Sequence, residues 1–430
     1  MRGKTITATL AALALMLSLA GCGGSTPSET AAPDTSGSSE PAPATETPTE
    51  EPSQDYAGIE LTVWTDETRN APVTAAAQTF EAATGAKVTI VQKNYDDIRS
   101  DFITQVPSGK GPDITIGAHD WLGELIANGV VATVELGDKT SDFEPVSIQA
   151  FSQDGQVYGV PYAIENIALI RNTKLAAEAP ATWDDALAAA KEAGTKYGVL
   201  LQVGETGDPY TMYPLQVSFG APVFAQNDDG SYKAELTLGG EPGNEFAAWL
   251  AEQGKAKNIS TSITYDIAVE AFSKEQAPFI IGGPWMIDSF ADIADQLAID
   301  PIPSAGGQVA APFTGVQGFY ISAQSTNPLV ATDFLTNYIA TEDIQYQLYQ
   351  AGNRTPALTA AAEKAKSDPI AAGFAEVAKT AVPMPSITAM GEVWNYWGVT
   401  EANIIAGKQK PTDGWEKMVS DIQAAIDKAQ

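Results

Sequence analysis

"VYGVPYAIENIALIRN", residues 157 to 172, reads as extended chain, largely apolar, with a single acid, Glu165, set inside it. Its valines, isoleucines and tyrosines suit a strand packed within a sheet. Toward the N-terminus the same style recurs with helices between. "IELTVWTDE" (59–67) is a short apolar run fit for a buried strand, and "NAPVTAAAQTFEAATG" (70–85) is helix-prone and can be closed by Gly85. "AKVTIVQ" (86–92) is strand-like, and beyond "YDDIRSDFITQVPSG" and "GPDITIGAHD" a short helix should end at Asn128-Gly129. Toward the C-terminus, "ATWDDALAAAKEAG" (181–194) is a helix with a capping-box pattern, Thr182 and Asp185, and Gly194 to stop it. "NDDGSYKAELTL" (227–238) is a turn and strand; it lacks the spaced oxygens and distal Glu of a calcium loop. The last hundred residues read mostly as helix. Strands alternating with helices at this spacing predict an α/β fold with a parallel or mixed sheet.

The only cysteine, Cys22, stands directly after an apolar run, Ile6 to Ala20, which Arg2 and Lys4 precede. The run is too short to anchor in a membrane and reads as an export signal. Leu19-Ala20-Gly21-Cys22 resembles the lipobox of bacterial lipoproteins. That resemblance implies a signal peptide over 1–21, lipid attachment at Cys22, and a globular part held outside the cell membrane. Residues 22–56 are rich in Ser, Thr, Pro, Ala and Glu, which predicts a disordered acidic tether. Such a tether places the folded part roughly 30 Å from the bilayer.

The formal net charge of −30 argues against a nucleic-acid partner, because a polyanion would be repelled. One histidine, His119, and one lipid-committed cysteine leave too few ligands for a typical zinc site and too few parts for a Ser-His-Asp or Cys-His machine. No phosphate-cradling loop or nucleotide fingerprint occurs, and no cofactor is expected. About 375 residues after the tether suffice for two lobes with real cores.

Four stretches, in order, resemble the extracellular solute-binding proteins of carbohydrate importers, the maltose/maltodextrin-binding group in particular. They are "GKGPDITIGAHDWLGELIANG" (109–129), "VYGVPYAIENIALIRN" (157–172), "AVEAFSKEQAPFIIGGPWMI" (268–287) and "MPSITAMGEVWNYWG" (384–398). The resemblance implies a two-lobe periplasmic-binding-protein-like fold of type II, with discontinuous lobes joined by a hinge and a ligand cleft between them. Lobe one would take 57–163 plus 319–363, and lobe two 168–313 plus 370–430. Hinged closure on ligand is a known transition of such folds. The implied ligand is an oligosaccharide, maltodextrin-like or related. The implied partner is the transmembrane part of an ATP-binding-cassette permease, served by a monomer.

A sugar offers apolar C–H faces and a ring of hydroxyls, so its site needs flat aromatics and planar polar groups. Trp285, after Gly282-Gly283-Pro284, matches the family's stacking tryptophan, and Trp394 falls on a second stacking position; Trp397, one helical turn on, reads as core. Asp120 matches a family carboxylate. There the chain departs from the maltose-binding pattern, with Trp121 where that pattern has arginine and Gly117 where it has an aromatic, so either Trp121 takes over as the platform or the subsite suits a different sugar. Glu165 matches the glutamate at which the chain crosses between lobes. "DPYTMYP" (208–214) matches an acid with two aromatics, giving Asp208 as hydroxyl acceptor and Tyr210 and Tyr213 as platforms. Asp66, Glu67 and Arg69 occupy the region of the family's polar contacts, one residue shorter here. His119 reads as a structural residue behind the cleft, and Arg354 as the holder of a loop, outside the site. A surface glycoside hydrolase is the competing class, since paired acids serve that chemistry too. The same fold could also hold a polyamine, a metal ion or a peptide, or serve a membrane-bound sensor.

Overall fold

The computed structural model describes residues 55–227 and 231–429. The expected export signal, Cys22 and the tether up to residue 54 lie outside the described residues. From Tyr56 the chain is engaged with the fold: its N–H donates to the Thr84 carbonyl at 2.8 Å, and its ring lies 6.0 Å from that of Phe80.

The larger sheet has seven strands. Strands β1 (Glu60–Thr65), β2 (Lys87–Gln92) and β3 (Ile114–Ala118) are parallel, with β1 in the middle. Residues 157–172 supply β4 (Gly159–Asn166) and β5 (Ala168–Asn172). Only β4 belongs to the larger sheet; β5 lies in a second, four-stranded one with β6 (Val199–Leu200), β7 (Phe279–Gly282) and β8 (Leu297–Asp300), in the order β8-β5-β7-β6. A single residue, Ile167, therefore separates strands of two sheets. The long strand β9 (Phe313–Ile321) lies antiparallel between β3 and β4, and two-residue strands β10 (Thr355–Pro356) and β11 (Val382–Pro383) pair with β4 and β9.

Each sheet has its own core. Leu61, Val63, Phe80, Phe102, Ile116 and Phe319 fill the first, and Trp183, Phe246, Trp397 and Trp415 the second. The smaller sheet is covered on both faces. Along β5, Leu169 faces the second core while Ala168 and Ile170 face a third cluster with Phe272, Phe290 and Phe374. This alternation follows from the two-residue period of a strand. The chain passes between first and second cores at Ala163–Ile167 and again within β9, where Phe313 belongs to the second core and Val316 to the first.

Local signals explain the helix ends. Asp66 caps the helix Glu67–Thr84, accepting from Arg69 N at 3.1 Å, and Gly85 closes it at φ 73°. Thr182 and Asp185 form the reciprocal capping box on Trp183–Ala193, and Gly194 ends it at φ 67°. Asp113 of the "GPD" stretch is structural. Its carboxylate accepts from Thr62 N at 2.9 Å and Ser325 Oγ at 2.6 Å, stitching β1 to the segment after β9. Among the described residues, no helix is long and apolar enough to cross a membrane.

Candidate functional site

A cleft of about 840 Å³ opens where the two cores meet, and its walls come from both. That volume lies toward the upper end for small-molecule sites. Its lining includes Asp66, Arg69, Asp120, Trp121, Glu165, Asp208, Tyr210, Trp285 and Trp394, nine of the residues singled out in the sequence.

On the first wall, Asp66 sits at the end of β1 and its carboxylate pairs with the Arg69 guanidinium. Arg69 also donates from Nε to the Tyr162 hydroxyl, while its Nη2 is buried without a partner. Its guanidinium carbon lies 5.0 Å from the Tyr95 ring centroid, within cation–π range. Tyr95 donates its hydroxyl to Gln317 Oε1 at 3.0 Å, and Gln317 Nε2 donates to Glu165 Oε1 at 2.9 Å. Glu165 Oε2 receives Arg354 Nε, so both of its oxygens act as acceptors within the protein.

Trp121 ends the 3₁₀ turn His119–Trp121, and its ring lies against Gly117. A Cβ at Gly117 would stand 2.7 Å from the Trp121 ring and 2.9 Å from that of Tyr320. The missing aromatic at 117 is thus the seat for a ring at 121, with Tyr95 5.5 Å away and tilted by 40°. Burial pushes the Asp120 carboxyl above its ordinary range, against the pull of the Arg99 cation. His119 itself is buried. Its Nδ1 accepts from Val316 N at 3.1 Å and its Nε2 is 3.0 Å from the Met384 carbonyl, which makes it a neutral Nε2–H tautomer. Burial lowers its pKa.

The second wall is aromatic. Tyr210 and Trp285 lie 6.3 Å apart, and Trp394 stacks 5.5 Å from the core residue Trp397. The Tyr210 hydroxyl and Trp394 Nε1 are buried without hydrogen-bond partners. Asp208 caps the helix Pro209–Val217, and its carboxylate accepts from Thr211 N at 3.2 Å, Thr211 Oγ1 at 2.5 Å and Gln202 Nε2 at 2.7 Å. With three of its roughly four acceptor positions taken, Asp208 organises the loop more than it reaches out. Burial raises its pKa, opposed by those bonds.

Three expectations are corrected. Glu67 is exposed and does not line the cleft, because as the first helical residue it points away from the face shared by Asp66 and Arg69. Tyr213 is 2 % exposed and belongs to the core, stacked on Phe313 with centroids 3.6 Å apart, so it cannot offer a face to ligand. Arg354 does hold a loop, but it also lines the cleft. Tyr95, Gln317 and Tyr265 line it as well without having been singled out. Among the described residues, no group of three or more His, Cys, Asp or Glu side chains is placed to hold a metal ion.

Two sheets, two cores and an aromatic, hydroxyl-seeking cleft at their junction define a binding protein of the two-lobe type II class. The chain belongs to the bacterial extracellular solute-binding protein family, whose pattern matches residues 75–373. Among its relatives is the maltodextrin-binding protein MdxE of Bacillus subtilis, 29 % identical over 78 % of this chain and 82 % of that protein. A galactooligosaccharide-binding protein of the same organism is 25 % identical over 86 % of this chain and 90 % of its own length. The structure of the Thermus thermophilus maltotriose-binding protein bound with maltotriose superposes with a TM-score of 0.76 at 30 % identity, covering 85 % of this chain and all of that one.

Proposed function

We propose that this protein captures an oligosaccharide in the cleft and delivers it to an ATP-binding-cassette sugar permease. Its lobes would be 57–163 with 319–363 and 168–313 with 370–430, and closure about the crossing strands would enclose the ligand. The observation that carries this reading is the cleft's chemistry. Flat rings on both walls stand beside buried donors with no partner, Arg69 Nη2, Tyr210 hydroxyl and Trp394 Nε1, which suits a ligand with C–H faces and many oxygens. Relatives named for maltodextrin, maltooligosaccharide and galactooligosaccharide binding point to the same ligand class. Asp66, Arg69, Asp120, Trp121, Glu165, Tyr210, Trp285 and Trp394 are the proposed contacts, with Asp208 as their support. Binding rather than hydrolysis is favoured by Glu165, whose two oxygens are engaged by Arg354 and Gln317 and so stand poorly free for proton transfer.

We further propose that Cys22 is the lipid attachment point of an exported, monomeric protein. A relative in Streptococcus pneumoniae is named a solute-binding lipoprotein. Calorimetric titration of residues 56–430 with maltodextrins, trehalose, and β-linked and galactose-containing oligosaccharides tests the ligand class. Saturable binding of one class, with a tryptophan fluorescence change, is expected. Silence across the whole panel would overturn the carbohydrate assignment.

A further inference from the structure

Asn353 and Arg354 leave the helix Glu342–Gly352 and lead into β10. From this short turn, on the side of the first core, two side chains reach across to the second. Arg354 is 9 % exposed. Its Nε donates to Glu165 on the crossing strand, and its guanidinium carbon lies 5.2 Å from the ring centroid of Trp285 on the far wall. Asn353, held at φ 56°, donates from Nδ2 to Asp288 Oδ1 at 2.9 Å, three residues beyond Trp285. The left-handed backbone at 353 turns these neighbouring side chains toward their separate targets. Gly352 leaves room for the fork, since a Cβ there would lie 2.8 Å from Arg354 Nη1.

The chemistry needs arginine. A planar, delocalised cation can lie over an indole and still donate in plane to a carboxylate, whereas a lysine ammonium is a hydrated point charge that serves one of these at a time. Both members of the Arg354–Glu165 pair are about nine-tenths buried, so removing the cation strands a carboxylate in a poorly solvated place.

We propose that Arg354 is a positioning residue: it fixes Glu165 and Trp285 relative to one another across the cleft and, with the Asn353–Asp288 bond, holds the two walls at ligand-binding distance. This rests on the reading that ligand binds between those walls.

The test uses the full chain, wild type and the variants R354Q, R354K and N353A, with R354Q repeated in a W285F background. Tryptophan emission of the ligand-free proteins is recorded first, together with thermal unfolding, and maltotriose is then titrated. R354Q should alter ligand-free emission, and the alteration should disappear when Trp285 is phenylalanine; a role confined to holding the loop would not produce that dependence. Maltotriose affinity should fall about tenfold in R354Q, severalfold in R354K despite its retained charge, and about threefold in N353A. Wild-type emission and affinity in R354Q overturn the proposal, as they do in R354K if R354Q fails to fold. If wild type binds neither maltotriose nor any other sugar, the function reading fails, and emission alone decides Arg354: a change that persists in W285F overturns its role, and one that vanishes supports it.

Discussion

On one wall of the cleft Asp66, Arg69, Tyr162, Tyr95, Gln317, Glu165 and Arg354 are tied to one another; on the facing wall Tyr210, Trp285 and Trp394 present rings, and two of their polar atoms have no partner within the protein. The first wall is a set of planar groups with fixed lone pairs and N–H directions, suited to telling one hydroxyl arrangement from another. The second supplies area, and its donors without a protein partner, each costing about 1–3 kcal/mol if left unpaired, are the atoms proposed to meet ligand oxygens. On the proposed function, selectivity is concentrated on one side and affinity on the other.

The harshest way to break that division is W285A. Loss of a stacking face should cost about a hundredfold in affinity by calorimetry while leaving the preference among sugar isomers nearly unchanged. E165Q should do the opposite. It weakens two charge-assisted contacts, so affinity falls about tenfold, and the ratio of affinities between epimeric sugars narrows; an unchanged ratio would show that the polar wall does not discriminate. G117A drives a methyl into Trp121 and Tyr320, with an expected loss of about 1–3 kcal/mol in stability by denaturant unfolding and weaker binding on the first wall.

E401Q sharpens the picture of what lies behind the aromatic wall. Glu401 is fully buried with both oxygens unpartnered, and burial, with Asp208 nearby, holds its pKa well above the ordinary value. A group whose folded pKa is raised stabilises the fold below its unfolded pKa of 4.5, and loses that contribution as pH rises toward the folded value. Melting temperatures of wild type and E401Q should therefore nearly coincide near pH 4.5, with the variant ahead by pH 8. The smallest effects belong to E67A and Y213F, each expected to change affinity less than twofold, since neither side chain reaches the cleft.

The sequence made most of the framework legible because its signals are local. Gly85, Gly194 and the Thr182–Asp185 box mark helix ends within a few residues of the elements they bound. Glu67 could have been set aside on the same grounds: a cap and first turn that place Asp66 and Arg69 on one face turn Glu67 away from it. Tyr95, Gln317 and Arg354 carried no such signal. They meet across separations of 222, 152 and 189 residues, on a helix start, a crossing strand and a turn, and only the fold brings their side chains together. Tyr213 misled for a related reason. One face of the helix Pro209–Val217 meets the cleft and the next meets Phe313, and ring chemistry alone cannot tell them apart.

His119 joins two segments that come from different cores, accepting a hydrogen bond from Val316 N–H at one end of its ring and donating one to the Met384 carbonyl at the other. Only an uncharged imidazole can do both. Adding a proton turns the accepting end into a donor that faces another donor, so the brace fails at the molecule's waist and not in its sugar contacts. Burial delays that event by keeping the ring's pKa below the ordinary 6.5, and the unfolded chain takes up the proton first. Acid would therefore act on this protein as a loosened rivet between its halves, releasing cargo through slackness of the frame.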